Sequence, residues 1–256
     1  MLSILRLLTK TNRPENASAF EFRVNHKGLE TAQINQFRTL FNLSEQHCLP
    51  ISFAFIAGFS AIIRGFADRR FSVSPIGLVH LEASFSQAQA INYCKPFQLH
   101  LKFTPSMSIK GLQYQTTLTF TQNGCVCLIN ENIFLKPDKN KLKKSTKTSH
   151  HTLFNTTPKI SINHQQARAY AKVSKDFNPI HIDDRLAKLF GQKKAIIHGM
   201  YLVHKCLIDK NINAKLAKFC FKRPCHLPTK IGLEHTNDDT LVFSGHDNLH
   251  LVAKFT

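Results

Sequence analysis

The sequence predicts an α+β chain in which one plan is used twice: a buried apolar helix followed by an antiparallel meander of short strands. Three observations carry this expectation. Each half holds one apolar stretch of helical length, "ISFAFIAGFSAII" at 51–63 and "MYLVHKCLI" at 200–208. Each stretch precedes four runs with alternating, β-branched or aromatic character. Between the halves lies "KPDKNKLKKSTKTSHH" at 136–151, with six Lys and almost nothing to bury, which reads as a solvated linker. Two helix-and-meander units with this spacing suggest an internal structural repeat.

From the N-terminus, "MLSILRLLTKTNRPENASAF" opens on an apolar run that Arg6 interrupts, so a short amphipathic or interfacial segment is expected there and not an export signal. The first central helix is expected over about 51–66. Its apolar core of thirteen residues falls short of the ~20 that a membrane span needs, so no transmembrane segment is predicted. Strands are expected at 76–85, 97–103, 112–120 and 125–135. Gln122-Asn123-Gly124 between the last two is a hairpin signal.

In the second half, Asn163 can cap a helix over "HQQARAYAKVS", and Asp183 or Asp184 can cap "RLAKLFG", which stops at Gly191. The second central helix is expected at about 195–209, with strands at 215–224, 229–236, 240–247 and 249–256. The resulting division is 1–135, a linker at 136–157, and 158–256.

Composition limits the functional classes. Of 256 residues, 43% are hydrophobic and 20% charged, which is globular composition, and twenty-one Phe supply bulk in the absence of Trp. The net charge of +18 draws anions: nucleic acid, acidic lipid, or a phosphate-bearing carrier. The lysines gather in the linker without interleaved aromatics, which argues against nucleic-acid binding. Seven cysteines, an odd number with no Cys-x-x-Cys, point to reduced thiols in the cytoplasm. Cys125 and Cys127 have the spacing of one strand face, and Cys220 and Cys225 bracket a turn; core packing is the expectation for them. No G-x-x-x-x-G-K or G-x-G-x-x-G string is present.

Chemistry concentrates in "SKDFNPIHIDDRLAKLFGQKKAIIHGM", 174–200, where Asp176, Asp183 and Asp184 cluster within nine positions of a lysine-rich chain. Helix caps account for Asp183 and Asp184 but not for Asp176 or His181. These two flank Asn178-Pro179, which breaks the helix on either side. A carboxylate and an imidazole five residues apart across a stiff bend can meet at one water, as addition of water to a double bond requires. The alternative is an Asx-type turn with a histidine packed on it. Gly199 begins the second central helix, where an unpaired N–H and the helix dipole can hold an oxyanion; tight packing is the other use for a glycine there.

At these residues the chain resembles a known family. "YAKVSKDFNPIHIDDRLAKLFGQKKAIIHGM", 170–200, closely resembles the signature of MaoC-like dehydratases, the (R)-specific enoyl-thioester hydratases. That signature reads Y/F-A-x-x-S-G-D-x-N-P-I-H, a short helix, then I-A-H-G-M. The likeness spans roughly 160–256, and the first half resembles the degenerate partner in a double hot-dog fold.

The resemblance implies that Asp176 and His181 hold and activate water. It makes Gly199 the oxyanion donor and Asn178 a shaper of the substrate-binding turn, with Ser174 and His198 in support. It implies a hydro-lyase that interconverts trans-2-enoyl and (3R)-3-hydroxyacyl thioesters in fatty-acid metabolism, or a non-catalytic thioester-binding relative. No metal and no cofactor are expected beyond the carrier, coenzyme A or acyl carrier protein, that bears the substrate. A cytoplasmic monomer or homodimer without a nucleic-acid partner completes the expectation. Two departures stand out: Lys175 occupies the usual Gly position, and Lys193 and Lys194 lie beside the motif, where they suit a phosphate-bearing end.

Overall fold

The computed structural model describes residues 10–138, 159–209, 211–235, 239–244 and 248–255. The first nine residues and most of the Lys-rich stretch, on which the amphipathic-segment and linker expectations fall, lie outside the described residues. Along the chain the elements are β1 (Phe20–His26), α1 (Thr31–Phe41), α2 (Phe53–Ala67), β2 (Val79–Gln87), β3 (Phe97–Ser108), β4 (Gly111–Gln122) and β5 (Cys125–Pro137). There follow β6 (Lys159–Ile162), α3 (His164–Ser174), α4 (Asp184–Leu189), α5 (Gly199–Asp209), β7 (Leu216–Phe221), β8 (Thr229–His235), β9 (Thr240–Ser244) and β10 (Asn248–Phe255). Every strand that the alternation predicted is present, with ends moved by a few residues. The structure adds β1, β6 and α1.

Two compact units result: Met1–Gly28 with Ala57–Ser145, and Leu29–Ile56 with Thr146–Thr256. Leu29–Ile56, placed by the sequence in the first half, groups with the second because Phe37 and Phe41 pack edge-on or tilted against Tyr170, Tyr201 and His204. Gln33 Nε2 also donates to the Val173 carbonyl at 2.6 Å.

The strand order is β1-β3-β4-β5-β2 in the first unit and β6-β8-β9-β10-β7 in the second, all pairs antiparallel. Position for position these orders are the same, so the repeat predicted from layout is a repeat of topology. Each is a hot-dog sheet, and the chain is a double hot dog. The Asn123-Gly124 hairpin takes φ of 53° and 80°, left-handed values that Gly and Asn accept readily.

Phenylalanines fill the first unit. Phe71 packs on Phe66 and on Tyr114 with ring centroids 4.9 and 4.3 Å apart. The fully buried Tyr114 hydroxyl is satisfied by the Ser72 N–H at 3.2 Å and by Ser72 Oγ at 3.0 Å. Cys125 and Cys127 do not share a face. The β4–β5 register shifts between Phe120 and Thr121, and this bulge breaks the alternation, leaving Cys125 exposed and Cys127 buried. Among the described residues no helix is long and apolar enough to cross a membrane.

Candidate active site

α3 starts where the sequence puts it. Asn163 accepts from the Gln165 and Gln166 N–H groups while the Gln166 side chain returns to the Asn163 N–H, a complete capping box. It stops because Lys175 adopts φ 62°, a left-handed conformation that suits the glycine of the family pattern better. Ser174 ties the stop to the bend. Its hydroxyl donates to the Tyr170 carbonyl at 2.8 Å and accepts the Asp176 N–H at 3.2 Å.

Asp176 Oδ1 then accepts the Asn178 N–H at 3.2 Å, and Asn178 Oδ1 accepts the Ile180 N–H at 3.4 Å, so Asn178 shapes the bend with its side chain. Pro179–His181 form one 3-10 turn, and Asp183, not Asp184, caps α4 through the Arg185 N–H. Asp184 instead accepts the Ala195 N–H at 2.8 Å and pairs with His164 at 2.9 Å, which holds the strand-like segment 195–197 beside the bend.

Because Lys175 is an exposed left-handed non-glycine, Lys175→Gly is expected to stabilise the fold by about 1 kcal/mol. The check is a higher denaturant midpoint at unchanged slope; an unmoved or lower midpoint would mean that the backbone carries no strain here.

The bend brings three groups together. Asp176, His181 and His198 each offer one atom, and these atoms all lie within 4.8 Å of one another. His181 and His198 are 7% and 2% exposed, so little water competes for them. The His181 Nδ1–H donates to the Ile196 carbonyl at 2.9 Å, which leaves Nε2 as the basic nitrogen. The His198 Nε2–H donates to the Asp176 carbonyl at 3.0 Å. His198 Nδ1 is buried with no hydrogen-bond partner. The two rings stack at 3.8 Å with planes 27° apart. By residue type and spacing the trio has the atoms to hold a metal ion as well as to pass a proton.

Burial raises the Asp176 pKa above 3.8, opposed by His181 and the Asn178 N–H. Burial lowers that of His181 below 6.5, opposed by Asp176 and the Ile196 carbonyl. Both groups are thereby pushed toward neutrality and toward each other, which makes exchange of a proton between them cheap.

Behind the trio lies a chain of buried groups that the sequence did not disclose. Ser52 Oγ meets His204 Nδ1 at 2.6 Å, and His204 Nε2 meets the Tyr170 hydroxyl at 3.1 Å. The Tyr170 ring lies 4.9 Å from that of His198. A histidine in the largely apolar "MYLVHKCLI" was the available signal.

Burial holds His204 down at about 3 and His198 well below 6.5. All three imidazoles, His181 included, have folded pKa values below 6.5, so the unfolded chain binds more protons as pH drops through that value. Their stabilisation is complete above 6.5 and is lost on acidification, by up to roughly 1.4 kcal/mol per imidazole per pH unit. The thermal midpoint should therefore fall between about pH 7 and 5, less steeply in His204→Gln. An equal slope in that variant would show that His204 is not held neutral.

Gly199 is the first residue of α5, next in sequence to His198. A Cβ there would lie 2.7 and 2.9 Å from ring carbons of Phe221, so close packing requires the glycine whatever else it does.

Known proteins resemble this chain in sequence and fold. The pattern of the family described as "MaoC like domain" matches residues 145–227. The 3-hydroxyacyl-thioester dehydratase X of Mycobacterium tuberculosis is 22% identical over 214 residues, covering 80% of this chain and 76% of that protein. The crystal structure of HtdX from the same organism superposes with a TM-score of 0.76 at 20% identity, covering 92% of this chain and 98% of that one. A MaoC-like dehydratase from Phytophthora capsici gives 0.62 at 14% identity, over 94% and 96% of the two chains.

Proposed function

We propose that the MaoC-like domain of this chain makes it a hydro-lyase that reversibly adds water to trans-2-enoyl thioesters, giving (3R)-3-hydroxyacyl thioesters in fatty-acid metabolism. The observation that carries this reading is the half-buried Asp176 beside the buried His181, whose imidazole is fixed with Nδ1 on the Ile196 carbonyl and Nε2 available. One member of the pair takes a proton as the water oxygen bonds to C3. The other supplies a proton to C2, and transfer between the two restores the starting state. Negative charge gathers meanwhile on the thioester oxygen, for which the Gly199 N–H and the positive end of α5 are the candidate acceptors of charge. The reading uses a cytoplasmic substrate borne on coenzyme A or a carrier protein, and calls on no metal or further cofactor.

The test is the loss of ultraviolet absorbance when the conjugated enoyl thioester is hydrated, run across acyl lengths and with chiral analysis of the product. Hydration to the (3R) product supports the assignment. No turnover at any acyl length with either carrier would overturn it.

A further inference from the structure

We propose that the segment 185–194 is a docking surface for an acidic carrier protein that delivers the thioester; this deepens the hydro-lyase reading and rests on it. The segment reads "RLAKLFGQKK", with four cations and no acidic residue. Arg185, Lys188, Lys193 and Lys194 are all exposed. Between them Leu186, Leu189 and Phe190 are 40, 79 and 37% exposed, while α4 buries only Ala187. Three large apolar side chains in so short a stretch cost hydration free energy that nothing in the described fold repays.

The projection is nonetheless held firmly beside the candidate site. His181 lies three residues before α4, and the Ile196 N–H returns to the Ile180 carbonyl at 3.0 Å. The Gln192 N–H bonds to the Ala187 carbonyl at 3.0 Å, and the Ala195 N–H to Asp184 at 2.8 Å.

Charge and apolarity together select the occupant. The phosphates of a free nucleotide would use the cations and leave the leucines in water. A second copy packed face to face would set four cations against four cations. A bilayer surface is bound by longer helices with a wide apolar face, which a helix of six residues lacks. A protein surface with carboxylates around an apolar patch matches both features, and of the two carriers that the proposed reaction admits only a carrier protein offers one.

The experiment compares a crotonyl group carried on a bacterial acyl carrier protein with crotonyl-coenzyme A, for the wild type, Lys188→Glu and Leu189→Ser. Each variant is expected to lose roughly tenfold in kcat/KM toward the carrier-borne substrate, and to stay within about twofold toward the coenzyme A ester. Equal losses with the two substrates, or none, would overturn the docking surface.

If the wild type hydrates neither substrate, the hydro-lyase reading fails, and docking is then read from retention of the labelled carrier protein on immobilised chain. Retention that falls with salt and disappears in Leu189→Ser supports the surface. Absence of retention, preferential capture of acidic-lipid vesicles, or a self-association removed by Leu189→Ser overturns it.

Discussion

Asp176→Asn is expected to lower kcat/KM for enoyl-thioester hydration by roughly a thousandfold, and His181→Ala by a similar factor. The double variant should be little worse than either one, because two groups that pass one proton between them fail as a unit. Asn keeps the shape of the carboxylate and its hydrogen bond from the Asn178 N–H at 3.2 Å, so the bend survives and only the proton site is removed.

A second readout separates lost chemistry from lost folding. Burial raises the pKa of Asp176, which means that the fold disfavours its ionised form. Asn cannot ionise, so above the unfolded carboxylate pKa of 3.8 the variant should be the more stable protein, by about 1 kcal/mol in thermal or denaturant unfolding. An inactive variant that is also more stable is the signature of a carboxylate kept for catalysis. Retained activity in Asp176→Asn would remove the proton-transfer role outright.

The wild-type pH profile adds a sign. If His181 acts as a neutral base, the acid limb of kcat/KM lies below pH 6.5, since burial holds the imidazole under that value. His181→Ala should lose that limb.

The candidate site was legible in the sequence because it is local. Ser174, Asp176, Asn178, His181, His198 and Gly199 fall within a single stretch of twenty-six residues, punctuated by a proline and by helix caps. Periodicity likewise revealed the long strands, where alternation runs for many residues, and both central helices. What escaped depends on distant partners or on brevity. β6 has only four residues, too few for a period, and β1 alternates over "FEFRVNH" with modest apolar content.

α1 carries Ile34, Phe37 and Phe41 at helical spacing, but nothing in that pattern says that its face belongs with Tyr170 and His204, more than a hundred residues away. The tautomer of His181 is set by the Ile196 carbonyl, fifteen residues on. Contacts of this kind, like the Ser52–His204–Tyr170 chain, are made by folding and leave no mark on local spacing. The same holds for the bulge that separates Cys125 from Cys127.

Gly199→Ala should cost roughly a hundredfold in kcat/KM and about 1–3 kcal/mol in stability, and the two losses have different origins. The stability loss comes from the new methyl group meeting the Phe221 ring at 2.7 and 2.9 Å. On the proposed mechanism, the activity loss would come from the same methyl crowding the amide that begins α5, the candidate donor to the thioester oxygen. Trimming the ring separates them. Gly199→Ala combined with Phe221→Ala removes the clash while the methyl group stays at the helix start. Comparison with Phe221→Ala alone corrects for the ring itself. Stability measured on that basis should recover, and activity should not. Were both to return, the glycine would serve only to let β7 and α5 pack, and the oxyanion would need another donor. Proline would delete the amide N–H but would also fix the backbone at this first helical position, so relieving the clash while keeping the methyl group is the direct way to learn what this position contributes.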